Sequence, residues 1–217
     1  MIKEYRIAYE GGEAEFVEKK SRFLATAMPV KTEEEALAFI ESMRKKYWNA
    51  THNCWAYVIG ERGELQRCSD DGEPSGTAGR PMLDVLLGEA VRDVVVVATR
   101  YFGGTLLGTG GLVRAYSQSA KVGLEACTVI TKTYGYHISL KTDYTGLGKI
   151  QYILGQRQIP IVNSIYTDSV ELELLIAVDD WGKIQAEITE GTNGQAVMDI
   201  TEECYFAEIN GVMQILP

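Results

Sequence analysis

The sequence predicts an α+β protein of two domains, residues 1–132 and 133–217, joined by a short boundary near residues 128–134. Three observations carry that prediction. From about Thr133 the apolar residues alternate between strand and helix periods in the order β-α-β-β-α-β, which is the split βαβ unit of ferredoxin-like domains. Ahead of it, a differently ordered set of strands and helices surrounds a run of valines and a cluster of glycines. The charge divides at the same place: 17 Lys+Arg stand against 18 Asp+Glu through Lys132, and 4 against 12 from Thr133, so the total of −9 splits into −1 and −8.

In chain order, strand-like stretches open the first domain at about Glu4–Tyr9, Ala14–Glu18 and Ser21–Pro29. A helix follows from Thr32, where TEEE supplies a cap and first-turn carboxylates. Leu37, Ile40 and Tyr47 continue it, and Arg44, Lys45 and Lys46 occupy the last turn, where the dipole favours cations. CWAYVIGERGELQRC reads as a hairpin, and SDDGEPSGTAGRP as a polar stretch. Pro81 suits the first turn of a short helix through about Ala90. Asp93–Phe102 is β-branched and apolar enough for the middle of a sheet, and a helix runs from about Gly111 to Ala126. In the second domain the elements are strand YGYHISLKT, helix TGLGKIQYILGQR, strands IPIVNSIYT and SVELELLIAV, helix DWGKIQAEITEG and strand QAVMDI.

Composition is that of a globular protein, 46% hydrophobic and 24% charged. The longest apolar run is VVVVA, and the first residues lack a basic n-region and apolar h-region, so a cytoplasmic chain with no membrane span is expected. The four cysteines contain no C-x-x-C pair, which removes zinc-ribbon and thioredoxin readings and leaves free thiols. No metal or cofactor is expected. The overall negative charge argues against a nucleic-acid partner; the near-neutral first domain reopens that question.

Gly103, Gly104, Gly108, Gly110 and Gly111 lie between the valine strand and a helix start, where unpaired N–H groups and the dipole form an anion site. The spelling is neither G-x-G-x-x-G nor a P-loop. On the helix, Arg114, Gln118, Lys121 and Glu125 share a polar face opposite Leu112, Tyr116, Ser119 and Gly123. Arg114 near the positive helix end needs compensation from an anionic ligand or from a carboxylate such as Asp70 or Asp71. Alternation places Arg100 with Phe102 on one face of the strand and Thr99 with Tyr101 on the other. The structural alternative is a tight turn of glycines with Arg100 in a buried ion pair.

Asp70, Asp71 and Glu73, with His52 and Asn53 upstream, could assemble a polar catalytic site. The alternative is a turn whose side chains cap its own backbone. Cys54 beside His52 suggests a thiol nucleophile only weakly, and His137 reads as structural.

KSRFLA (20–25), ATHNCWAY (50–57), SDDGEPSGTAGRP (69–81) and VVVVATRYFGGTLLGTGGLVRAYS (94–117) together resemble the Impact family, over most of residues 15–125. The resemblance implies a first domain with the α/β-sandwich fold of the second domain of a small-subunit ribosomal protein, shared with domain IV of elongation factor G. It implies a ferredoxin-like second domain similar to domain V of that factor. Eukaryotic members carry an extra N-terminal module and regulate translation by interfering with activation of a starvation-responsive kinase.

Carried onto this chain, the family implies RNA or ribosome binding without an established reaction, through Lys20, Arg22, His52, Arg80, Arg100, Arg114 and Lys121, with Tyr101 or Trp55 stacking on bases. Two other readings stand beside it. One is a protein-binding regulator of a translation or stress pathway. The other is a small-molecule phosphoryl-transfer or hydrolytic enzyme, since the same fold hosts kinases that cradle ATP at a glycine-rich helix start.

Overall fold

The structure is a computed structural model and describes residues 1–216. The chain divides into two compact units, residues 5–130 and residues 1–4 with 131–217.

The 5–130 unit is built on a five-stranded antiparallel sheet in the order β2-β3-β7-β4-β5. Its elements run β1 (Glu4–Glu10), β2 (Gly12–Glu18), β3 (Ser21–Pro29), α1 (Glu33–Lys46), β4 (His52–Ile59), β5 (Leu65–Ser69), α2 (Gly79–Gly88), β6 (Val91–Arg92), β7 (Val94–Tyr101) and α3 (Thr109–Glu125). The valine run makes β7 the central strand because both its faces are covered. Val95 and Val97 pack with Ile40 and Met43 of α1, while Val94, Val96 and Ala98 pack with Met82 and Leu86 of α2 and Tyr116 and Ala120 of α3. All five of those β7 residues are fully buried, as a doubly covered strand requires.

The Thr32 hydroxyl caps α1 by accepting from the Glu35 N–H at 3.2 Å. Helix α2 begins at Gly79, two residues before Pro81, and α3 at Thr109, two before Gly111.

The second unit contains β8 (Thr128–Thr142, from Thr131 onward), α4 (Tyr144–Gln156), β9 (Ile161–Tyr166), β10 (Val170–Ala177), α5 (Val178–Gly191), β11 (Val197–Ile209) and β12 (Val212–Leu216). Its strands lie antiparallel in the order β9-β10-β8-β11-β12. The four strands of the β-α-β-β-α-β repeat take ferredoxin-like positions, and β12 is an added edge strand. Ile138, Leu140, Val170, Leu172 and Leu174 pack under Ile150 and Leu154 of α4 and Ile184 and Ile188 of α5.

Candidate functional site

In the 5–130 unit, β7 delivers Arg100 beneath the acidic loop that connects β5 to α2. The Arg100 side chain is 6% exposed and that of Glu73 4%. Arg100 Nη1 donates to Glu73 Oε1 at 2.5 Å, and Nη2 donates to Ser21 Oγ at 3.2 Å. Its guanidinium lies 5.6 Å from the ring centroids of both Phe23 and Phe102. Tyr116 of α3 donates to the same Glu73 oxygen at 2.8 Å. Burial pushes the Tyr116 phenol up, with the neighbouring Cys54 and Glu73 adding to it. Arg100 therefore sits in the interior, and its cationic head is engaged by Glu73.

Asp70 and Asp71 are committed to the backbone. Asp70 accepts from the N–H groups of Gly76, Ala78 and Gly79 at 2.8, 3.0 and 2.9 Å, which seals the start of α2 from nine residues away. Asp71 accepts from the Asn53 N–H at 2.6 Å and from Arg44 at 2.9 Å. Neither carboxylate is paired with Arg114. Cys54 donates to the Asp70 carbonyl at 3.0 Å, and burial pushes its thiol far above the ordinary range. A protonated, enclosed thiol is not a nucleophile near neutral pH. Among the described residues no group of three or more His, Cys, Asp and Glu is placed to hold a metal ion.

The remaining cations separate into paired and unpaired sets. Arg22 makes two bonds to Glu15, at 2.5 and 2.9 Å, and covers the Tyr101 ring. That contact holds the Glu15 carboxyl below its ordinary range. Tyr101 itself donates to Asn49. Arg80 pairs with Asp84 at 2.8 Å and Lys121 with Glu125 at 3.9 Å. Among the described residues Lys19, Lys20 and Arg114 have no acidic partner. Trp55 packs against the α1 side of the sheet and stacks on Tyr57, so it belongs with the core. His137, in the second unit, lies 3.4 Å from both Glu173 and Glu202.

The glycine segment brings the unpaired cations to a helix end. Lys19 and Lys20 form the two-residue turn of the β2–β3 hairpin, both at positive φ (46° and 70°), the conformation such turns require. A Cβ on Gly103 would lie 2.0 Å from the Lys20 carbonyl carbon and oxygen, so only glycine lets the two segments meet. Gly108, at φ 73° and ψ 166°, turns the chain into α3 in a region open essentially to glycine alone. No side chain caps α3 and no acid stands in its first turn. A Cβ on Gly104 would meet nothing within 4 Å. A Cβ on Gly110 would meet only Arg114, with Nη1 at 3.8 Å, which places that guanidinium by the helix start. Glu18, Lys19, Gly111 and Arg114 line one recess on this end of α3, with no ion pair between Glu18 and either cation. His52, Glu73, Arg100, Gly108 and Thr109 line a cleft on the other side.

Of the residues the sequence singles out, the fold thus places Arg114, Gly108, Gly110 and Gly111 at the α3 start, with the Lys20 backbone against Gly103 and His52 lining the cleft. Arg22 and Tyr101 lie on the neighbouring strands, whereas Arg80 and Lys121 are held on the outer faces of α2 and α3. Lys19 was not among them. The signal that could have found it is the Lys-Lys pair between two alternating runs. Leu106, the first of two adjacent leucines between glycines, is a second such residue.

Comparison with known proteins adds the following. Residues 19–124 match the Impact N-terminal domain family, and residues 140–195 match a domain of unknown function (DUF1949). The chain is 44% identical over 202 residues to IMPACT family member YvyE of Bacillus subtilis, covering 93% of this chain and 92% of the relative. It is 38% identical over 187 residues to IMPACT family member YigZ of Escherichia coli, covering 85% and 92%. A crystal structure described as that of a hypothetical protein is similar over 93% of this chain and 99% of its own, at 34% identity and a TM-score of 0.59.

Proposed function

The chain belongs to the Impact family, and from that premise we propose that it is a non-enzymatic RNA- or ribosome-associated factor linked to the regulation of translation. The observation that carries the RNA part is Arg114. A cation near the positive end of a helix is disfavoured unless an anion answers it, and the two nearby aspartates the sequence offers are bound elsewhere. With Lys19 in the same recess, Glu18 there unpaired with Arg114, and the helix end uncapped, a phosphate supplies the missing charge. The acidic second unit then limits indiscriminate binding to polyanions. The translation part rests on the resemblance to the family. Among the described residues no helix is long and apolar enough to cross a membrane.

The test is co-sedimentation with ribosomes and total RNA at stepped salt, comparing wild type with Lys20→Ala/Arg114→Ala. Both positions are exposed, so the variant keeps the core. Wild type binds at low salt, and losing two phosphate contacts lowers the salt slope by roughly 1.4 on a single strand. Absence of wild-type binding at low salt, or an unchanged slope in the variant, overturns the proposal.

A further inference from the structure

Between the acidic loop and the glycine segment, the cleft beside the α3 start has a volume of about 460 Å³, within the ~300–1,000 Å³ typical of small-molecule sites. Its rim is apolar: Phe102 and Leu106 line it and are 45% and 82% exposed. At one end lies the helix terminus. The first intrahelical bond there is made by the Leu112 N–H to the Gly108 carbonyl at 2.9 Å, so the N–H groups of Thr109, Gly110 and Gly111 precede it and no side chain caps them. Independently, Arg100, which lines the cleft and is 5% exposed, has its Nε buried without a hydrogen-bond partner.

The polar wall has its own requirement. His52 Nδ1 lies 2.8 Å from the Asp71 carbonyl. A carbonyl only accepts, so Nδ1 carries the hydrogen and Nε2 of the neutral ring is an acceptor. Nε2 stands 3.8 Å from Glu73 Oε2, beyond hydrogen-bond distance; with the ring neutral these are two acceptors side by side with no donor between them. A group with two N–H hydrogens satisfies both.

We propose that this cleft receives one unpaired nucleotide of single-stranded RNA. Its phosphate sits at the α3 terminus, its base lies against Phe102 and Leu106, and an exocyclic amino group points toward His52 and Glu73. Adenine, cytosine and guanine carry such an amino group and uracil does not. This inference rests on the RNA-binding reading above and narrows it from phosphate contacts, which carry no sequence information, to a base preference.

The test is fluorescence anisotropy of short labelled oligo(A), oligo(C) and oligo(U) at constant low salt. Oligo(A) and oligo(C) bind more tightly than oligo(U) by about ten-fold, the scale of one base contact. Phe102→Ala weakens oligo(A) by about five- to 150-fold, the range for loss of one stacking platform, and leaves the salt slope unchanged. Leu106→Ser, at a site that removes no buried contact, weakens it in the same direction and keeps the inference testable if Phe102→Ala misfolds. Equal affinity for oligo(U), or wild-type affinity in both variants, overturns the inference. If salt-dependent binding lost in Lys20→Ala/Arg114→Ala persists in that case, the RNA reading stands and only the cleft assignment falls. If wild type binds no RNA, both fall. AMP binding as tightly as oligo(A) overturns the strand in favour of a free nucleotide.

Discussion

The buried pair of Arg100 and Glu73 gives the sharpest prediction about the 5–130 unit. Both side chains are almost wholly enclosed and meet at 2.5 Å. Replacing Arg100 with Met leaves Glu73 buried with the Tyr116 hydroxyl as its one hydrogen-bond donor and the His52 ring 3.8 Å away, and replacing Glu73 with Met leaves the guanidinium between two aromatic rings without a counter-charge. Removing one member of such a pair costs about 3–5 kcal/mol, because the uncompensated charge stays buried. Removing both takes away the attraction and the desolvation penalty together. The double variant then loses only about 1–2 kcal/mol, chiefly for the Tyr116 hydroxyl left without Glu73, since Ser21 Oγ keeps the Gly103 N–H. Singles summing to about 6–10 kcal/mol against a double near 1–2 kcal/mol imply a coupling of several kcal/mol. The assay is urea unfolding followed by tryptophan fluorescence in a Trp181→Phe background, so that the remaining Trp48 and Trp55 report on the 5–130 unit alone. Singles costing less than about 1 kcal/mol each, or a double equal to their sum, would refute the reasoning.

Asp70→Ala removes the acceptor of two backbone N–H groups at the start of α2 and of the Gly76 N–H in the loop before it. It is expected to cost about 2 kcal/mol, the upper end for a helix cap, seen as a lower urea midpoint at constant slope; a change under about 0.5 kcal/mol would show that the loop finds other acceptors. In the second unit, the Tyr134 hydroxyl donates to Glu203, which pushes the phenol up to about 12 from its usual 10. The bond is therefore fully present below pH 10 and is lost as pH rises through 12. Phenolate absorbance, taken as the difference from Tyr134→Phe, should show the midpoint falling toward 10 in Glu203→Gln, and an unmoved midpoint would count against the contact.

Much of the fold was legible because it is written in local periods. The valine strand, the capped α1 and the β-α-β-β-α-β repeat each follow from residues within a few positions of one another. The misses have one cause. Pro81 does fall in the first turn of α2, but the acceptor that seals that turn, Asp70, lies nine residues upstream across a loop. Helix α3 starts before Gly111 because Gly108 supplies the turn by backbone conformation, with no capping side chain to announce it.

The candidate site was legible as a list of residues and illegible as an arrangement. The cluster of glycines between arginines pointed to an anion site or a buried ion pair. The buried ion pair is present, at Arg100; Arg114 lies by the helix start without an acidic partner, and the anion site is the proposal built on it. Nothing in the sequence says that Glu73, twenty-seven residues from Arg100, is its partner, or that Asp71 holds Arg44 and the Asn53 N–H; the reading of SDDGEPSGTAGRP as a turn that caps its own backbone does describe Asp70.

The sequence by itself determined the two-domain α+β class, the order of strands and helices, the central position of β7 and the uneven division of charge. These depend on short-range patterning of apolar, turn and charged residues. Only the tertiary structure decided which charges cancel and which remain. A salt bridge is settled by distances between groups far apart in the chain and by how much water each group loses, and neither quantity is a property of any local stretch of residues.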